Sequence, residues 1–325
     1  ELTLKPVARD LSEILGVDIV FAENSIGLNN VDTNTPDGDV VLLENVQFNK
    51  GEKKNDDEYA KKLASLADIY VNDGFGQNHR EYATFCAITK FLPSCAGLLV
   101  EKEVNQLSKL LNPERPFAFI VAGAKADKIG ALKVLANKAD KILIAGVLAN
   151  TFLKAKGVDI GASKFDEETF NVAKEIIDLA GNKLKFPKDF VVGDKFESDA
   201  NTQTVAADKI PEKWMSMDIG LGTISQYKDD LNDAKTVFWA GPLGVFEMEK
   251  FSKGTKEIGE FLGSLGVTVI AGGGDTAAAI NTFNLTNKLT HVSTGGGASL
   301  EFIEKEGKLP GLVALEEAYN KSKEQ

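Results

Sequence analysis

Histidine, cysteine and tryptophan are scarce in this chain, with two of each among 325 residues. His79 and His291 alone leave little scope for a histidine triad or a histidine-rich metal site. Cys86 and Cys95 lack any metal-ligand or redox spacing and read as buried or incidental thiols. Long apolar runs are missing too. The longest are strand-length, so none could span a bilayer. No basic stretch leads into an apolar core at the start, and we expect a cytoplasmic protein. Basic charge is in deficit, 37 Lys and Arg against 48 Asp and Glu, and the net charge of −11 argues against nucleic acid or an anionic membrane as partner. The common phosphate signatures are absent as well. There is no G-x-x-x-x-G-K-[ST], no G-x-G-x-x-G after the first strand and no protein-kinase set. So few histidines suit a nucleophile that is already ionised. A carboxylate, with pKa near ~4, or a nucleotide phosphate oxygen needs no base, and positioning with charge stabilisation then does the work.

What the chain does have is glycine, 30 residues of it, concentrated at strand ends. Val267–Ile270 is a short β-branched run; Gly272, Gly273 and Gly274 follow, then Asp275, Thr276 and three alanines, the best helix formers. This reads as strand, bare-backbone turn and helix start. His291–Thr294 leads in the same way into Gly295, Gly296 and Gly297, then Ala298–Glu301. Backbone N–H groups at a helix N-terminus favour an anion, and glycines let a phosphate come close. Two such turns so near each other point to one polyphosphate site.

The length predicts two domains. Val7, Leu11 and Leu15 repeat at helical spacing ahead of Gly16, so the chain opens inside a helix without a methionine, and we expect a segment before it. Residues 17–21 and 38–46 read as strands. Asn55–Leu66 reads as a helix with Tyr59, Leu63 and Leu66 on one face, and Asn55 with Glu58 forms a capping-box pattern. A strand leads from Ala67 into a polar loop ending at Gly76. Helix Glu101–Leu111 turns Val104, Leu107 and Leu111 inward, and Pro113 and Pro116 stop it. The boundary falls there, giving domains 1–110 and 111–325. In the second, 116–125 (strand then Gly-Ala-Lys loop), 141–146 (strand), 190–194 (short strand) and 236–244 (strand with a Gly-Pro turn) join the two glycine units. The helix Leu148–Lys156 follows the second of these strands. Near-continuous apolar strands alternating with helices imply an α/β fold with a parallel sheet covered on both faces. In such sheets ligands bind beyond the carboxyl ends of the strands.

The candidate residues each admit two readings. Asp275 is a helix N-cap or a carboxylate near a Mg²⁺ shared by phosphates. Lys125 and Lys128, three apart after a strand end, are solvated surface lysines or a phosphate clamp. Glu247 is a surface carboxylate or an acceptor for ribose hydroxyls. Arg80, in the first domain, pairs structurally or holds a substrate anion. Trp214 and Trp239 read as packing residues.

At these residues the chain resembles the phosphoglycerate kinase family, from Pro6 to the end. The matching phrases are Leu42–Val46 (LLENV), Val71–Gly76 (VNDGFG) with His79 and Arg80, and Gly123–Lys125 with Asp127 and Lys128. Further on come Ala149–Leu153 (ANTFL), Gly241–Glu247 (GPLGVFE) with Lys253–Thr255, Gly272–Thr276 and His291–Ser299, in the family's order and spacing. The resemblance implies two doubly wound parallel-sheet domains facing a cleft, with 3-phosphoglycerate on the first and nucleotide on the second, brought together by hinge closure. It implies reversible phosphoryl transfer between 1,3-bisphosphoglycerate and Mg-ADP, giving 3-phosphoglycerate and ATP, with Mg²⁺ as cofactor, in a monomer. Lys125 is then expected to stabilise the transferring phosphoryl group, and Lys128 with Gly272, Gly273, Gly274, Asp275 and Thr276 to hold nucleotide phosphates. Asp275 is expected at the metal through those phosphates, Glu247 at the ribose, Gly273 and Gly296 facing the transition state, and Arg80 at the substrate phosphate. The last helix, around Leu312–Tyr319, is expected to return toward the first domain.

Departures from the family pattern accompany the match. The family's amino-terminal segment, with an Asp/Asn substrate motif, a His-Leu-Gly-Arg loop and a further arginine, has no counterpart here, so the first domain is expected to lack it. Gln47 stands at an arginine position, Ala240 at an asparagine and Ala122 at a glycine. The gap from Lys125 to Lys128 is one residue short, and Gly74, Gln77 and Asn78 differ from the usual small-residue pattern. Two functions follow: a phosphoglycerate kinase, or a nucleotide-binding remnant of that family serving a binding or regulatory role without kinase activity. Lost arginines remove charge-assisted contacts of roughly 1.5–3 kcal/mol each. The departures therefore weigh on substrate binding more than on nucleotide binding.

Overall fold

The computed structural model describes residues 2–26, 38–123 and 129–324. Its contacts divide the chain into two units, residues 1–100 with 308–325 and residues 101–307. In the first, α1 (Lys5–Leu15) closes on Gly16 at φ 66, whose N–H bonds the Ser12 carbonyl, as the trailing glycine predicts. Strand β1 (Ile19–Ala22) pairs in parallel with β2 (Val40–Leu43). Helix α2 (Asp57–Ala64) buries Tyr59 and Leu63. Its cap is Asp56, which accepts from the Tyr59 N–H at 2.8 Å, and not Asn55. Asn55 takes the left-handed conformation at φ 51, which asparagine tolerates, and its side chain accepts from the Ala87 N–H at 2.9 Å. Strand β3 (Tyr70–Asn72) pairs in parallel with β4 (Ser94–Ala96). Burial pushes the Cys86 thiol up to about 11, so it is a poor nucleophile at neutral pH.

Helix α3 (Leu98–Leu107) begins three residues before the expected start. Its inner side, continued into the next turn, carries Val100, Glu103, Leu107 and Leu110, all buried. Val104 and Leu111 are only half-buried, so the expected inward face was rotated. A carboxylate occupies the place assigned to an apolar residue.

The second unit continues with β5 (Phe117–Val121), α4 (Ile129–Lys138), β6 (Lys141–Ile144), α5 (Gly146–Ala155), α6 (Glu167–Ala180) and β7 (Leu184–Lys185). Then come β8 (Asp189–Gly193), β9 (Thr202–Ala206), β10 (Met215–Ile219), α7 (Leu221–Leu231), β11 (Thr236–Ala240) and α8 (Lys253–Ser264). Strand β12 (Thr268–Gly272), α9 (Gly274–Thr282), β13 (His291–Val292) and α10 (Gly297–Glu304) complete it, and α11 (Pro310–Lys323) ends the chain. Helix α11 belongs with the first unit, where the Gly311 N–H donates to the Asn78 carbonyl at 3.0 Å. The main sheet runs β13-β12-β11-β5-β6-β7, parallel throughout. Strands β5 and β11 are buried at every residue, as a sheet covered on both faces requires. Phe119 and Phe238 stack at 5.3 Å on one face, and Ile120, Val237 and Trp239 enter the core on the other.

One strand lies elsewhere than expected. Phe190–Val192 belongs to β8, which leaves the parallel series for a separate antiparallel sheet ordered β10-β8-β9.

Candidate functional site

The chain winds outward from β5 through β6 to β7, then returns to β5's other side and winds outward again through β11, β12 and β13. The strand order therefore reverses between β5 and β11. The crevice beyond their carboxyl ends is the expected ligand position of such a sheet. At that reversal the backbones nearly touch. The Ala122 N–H donates to the Ala240 carbonyl at 2.8 Å, and Gly241 turns at φ 106 with its missing Cβ only 2.1 Å from the Ala122 carbonyl oxygen. No other residue fits there.

Both glycine turns are braced by buried side chains, the first by a hydroxyl and the second by a carboxylate. Thr276, 1% exposed, donates from Oγ1 to the Gly272 carbonyl at 2.8 Å and accepts from the Gly241 N–H at 2.7 Å. It thus staples the start of α9 to the end of β11. Thr255 supports the Gly241–Glu247 turn by accepting from the N–H groups of Leu243 at 3.0 Å and Gly244 at 3.3 Å. Gly273 takes φ 103 as the N-cap of α9, and the first N–H groups of any helix point out of its own ladder. Among the described residues, nothing beyond the adjoining chain lies within 4 Å of where a Cβ would stand on Gly274, Gly296 or Gly297. Helix-start donors with room over them are what a phosphate needs.

The second glycine turn rests on Glu103, which the sequence reading missed. It is fully buried, and Oε1 accepts from the Thr294 N–H at 2.8 Å and Oγ1 at 2.9 Å. Its Oε2 lies 2.8 Å from His291 Nε2. Burial pushes the carboxyl up, but hydrogen bonds from His291, Thr294 and Ser293 outweigh it and hold the group below its ordinary value. The signal was the spacing Val100, Glu103, Leu107, Leu110, one helical face with a charge in it.

A cavity of about 230 Å³ opens where the strand ends meet, reached by Gly123, Gly146, Pro242, Glu247 and Asp275. Val147, Phe190 and Met217 give it apolar walls, and Asn150, Ser216 and Asp218 supply its polar atoms. Lys164 lies over the Phe196 ring at 4.9 Å on its rim. Asp218, 2% exposed, accepts from the N–H groups of Gly254 at 2.8 Å and Ile219 at 2.9 Å. Burial pushes its carboxyl up to about 7.

The expected site residues sort as follows. Gly272–Thr276, Glu247 and Gly296 all lie in the second unit. Glu247 and Asp275 both line the cavity. The Thr276 side chain points into the backbone scaffold, so it can meet a ligand only through its N–H. Asp275 is exposed in the first turn of α9. One carboxylate at a helix start fits Mg²⁺, which takes one or two carboxylates together with phosphate oxygens. Among the described residues no three His, Cys, Asp or Glu gather to hold a metal alone. Arg80 lies in the first unit and is exposed. Lys125 and Lys128 lie outside the described residues. Trp239 is the expected packing residue, fully buried with Nε1 donating to the Gly241 carbonyl at 2.8 Å.

Comparison with known proteins gives one answer. The family model described as phosphoglycerate kinase matches residues 1–307. A phosphoglycerate kinase of Thermosipho africanus is 47% identical, over 97% of this chain and 81% of that protein. The cytosolic phosphoglycerate kinase 3 of Arabidopsis thaliana is also 47% identical, with the same coverage of 97% and 81%. The solved phosphoglycerate kinase of Pyrococcus horikoshii superposes with a TM-score of 0.86 at 31% identity, over 98% of this chain and 83% of that one. That of Coxiella burnetii gives 0.84 at 38%, over 97% and 81%. The chain belongs to the phosphoglycerate kinase family.

Proposed function

We infer that the chain catalyses the reaction of its family, reversible transfer of a phosphoryl group between 1,3-bisphosphoglycerate and ADP, giving 3-phosphoglycerate and ATP. Near-half identity to proteins named for that activity, over most of their length, favours the kinase over a binding remnant. The observation that carries the site is the pair of glycine-led helix starts, each braced from behind and open in front, beside a cavity at the sheet's reversal point.

In this reading the second unit takes the nucleotide. The N–H groups of Gly274, Asp275 and Thr276 hold phosphate oxygens, with Gly272 and Gly273 allowing close approach. Glu247, on the cavity margin, accepts from ribose hydroxyls. Gly273 and Gly296 present helix N-termini toward charge that develops in the transition state. Lys125 and Lys128 add cationic charge, Lys125 to the transferring group and Lys128 to the nucleotide phosphates. Asp275 and those phosphates would hold Mg²⁺, which when bound would supply positive charge beside the transferring group. In the first unit, which includes residues 308–325, Arg80 meets the substrate phosphate. The acyl phosphate needs no protein base, since its leaving carboxylate is stable without a proton at neutral pH.

The protein is proposed to work as a cytoplasmic monomer on small molecules, with no nucleic-acid or membrane partner. The charge of −11 supports this, as does the lack among the described residues of any helix long and apolar enough to cross a membrane. Calorimetry with Mg-ADP tests the nucleotide half, and absence of binding heat would sink that assignment. A coupled assay with 3-phosphoglycerate and Mg-ATP tests the reaction. Binding of nucleotide with no turnover above background would return the remnant reading.

A further inference from the structure

The polar atoms of the cavity are arranged in a fixed direction. Asn150, on α5 and 2% exposed, donates from Nδ2 to the Lys164 carbonyl at 3.0 Å. That bond sets the amide, because the flipped orientation would face its oxygen with another acceptor. Asn150 Oδ1 is therefore turned to Ser216, whose Oγ donates to it at 2.7 Å. The Ser216 backbone is itself held, its N–H donating to Ser163 Oγ at 2.9 Å. A serine hydroxyl carries one proton and two lone pairs. With the proton committed to Asn150, the oxygen offers the cavity lone pairs alone.

We propose that Ser216, oriented by Asn150, is a specificity-determining residue that selects a nucleobase bearing a 6-amino group over one with a 6-oxo group. The inference rests on the nucleotide reading of the site and adds the base edge to it. The apolar walls Val147, Phe190 and Met217 accept any flat ring and cannot tell one purine from another. Ser216 can. A 6-amino group donates to its free lone pairs, whereas a 6-oxo group sets oxygen against oxygen and leaves both unsatisfied. The site takes ADP and ATP in preference to their inosine and guanosine counterparts.

The test compares Mg-ADP with Mg-IDP, which differ only on the C6 and N1 edge, by calorimetry on the full chain. ADP is expected to bind about tenfold tighter, the value of one such contact. In Ser216→Ala the preference falls to about unity, chiefly by weaker ADP binding. In Asn150→Ala the Ser216 proton is released to turn toward the cavity, and the preference shrinks by tighter IDP binding instead. Circular dichroism confirms that each variant is folded, and Ser216→Ala alone decides the matter if Asn150→Ala is not. Equal ADP and IDP affinity in the unmodified chain overturns the inference while leaving the nucleotide site standing. So does a preference that survives Ser216→Ala. Failure of both nucleotides to bind overturns the site and the inference together.

Discussion

Thr276 separates a scaffold role from a ligand role. It is proposed among the phosphate-binding residues, yet its hydroxyl bridges the Gly272 carbonyl and the Gly241 N–H at 2.8 and 2.7 Å inside the protein. Thr276→Val keeps the shape and removes both bonds. The Gly241 N–H is then buried without a partner, at a cost of about 1–3 kcal/mol, and the lost bond to Gly272 adds about 1 kcal/mol. The sum, roughly 2–4 kcal/mol, lowers the melting temperature of a unit of ~200 residues by about 5–15 °C. Thr276→Ser keeps the hydroxyl and loses one buried methyl, about 1 kcal/mol. Thermal unfolding should rank the unmodified chain above Ser and Ser above Val. Nucleotide affinity should weaken in Val, since the turns bearing Gly241 and Gly273 are no longer tied. A Val variant melting within about 1 °C of the unmodified chain while losing ADP would refute the reasoning and make the hydroxyl a direct ligand group.

Three further outcomes follow from the same geometry. Gly274→Ala puts a methyl where no described residue beyond the adjoining chain lies within 4 Å, on a helical residue, so stability should hold or rise by about 0.5–1 kcal/mol, while ADP affinity falls about tenfold or more in calorimetry; unchanged affinity would remove the phosphate from α9. Asp218, raised to about 7 from an ordinary 3.8, stabilises the fold when protonated, so its contribution is full below about pH 4 and is lost as pH rises through 7. That is on the order of 4 kcal/mol, read as the change in denaturant stability from pH 4 to 8 relative to Asp218→Asn, and a difference that grows with pH would reverse the sign. Glu103, held below the ordinary carboxylate value, contributes stability above that value that is lost as pH falls through the folded one. Glu103→Ala should cost about 2–4 kcal/mol by stranding the Thr294 N–H and His291, and a loss under 0.5 kcal/mol in urea unfolding would contradict this.

The strand-glycine-helix units were legible because three local signals agree there: β-branched residues, then glycines, then alanines. The parallel sheet was legible for a similar reason, since strands buried on both faces are apolar without interruption. The β8–β10 sheet was not. Strand β9 reads Thr-Gln-Thr-Val-Ala and is largely exposed, so no burial pattern marks it, and β8 looks like another parallel strand until its neighbours are known. Glu103 was hidden by its own charge. Its partners lie 188 and 191 residues away in sequence, and no local window can show that a buried carboxylate will be satisfied. The Asn55 cap failed by one residue because asparagine and aspartate compete for the same role, and only the backbone shows which one is left-handed.

The departures from the family pattern also divide by location. Ala122 and Ala240 are fully buried and joined through their backbones, so alanine satisfies the position without needing polar partners. Asn78 is buried and bonded to Asn72 in both directions, at 2.8 and 3.2 Å, and its carbonyl receives α11 through Gly311 at 3.0 Å. It is part of the scaffold of the first unit. Gln47 is different. It is exposed in a short turn capped by Asn45, whose side chain accepts from the Gln47 N–H at 3.0 Å. Nothing in that turn requires glutamine, and an arginine there would meet no buried neighbour. Gln47→Arg should therefore leave the melting temperature within about 1–2 °C, since exposed substitutions rarely exceed 0.5 kcal/mol. If the position faces the substrate phosphate as in the family, the new charge-assisted contact supplies about 1.5–3 kcal/mol, lowering the KM for 3-phosphoglycerate roughly 10- to 100-fold while the KM for ATP stays put. Equal KM values for 3-phosphoglycerate before and after the change would take residue 47 out of the substrate site.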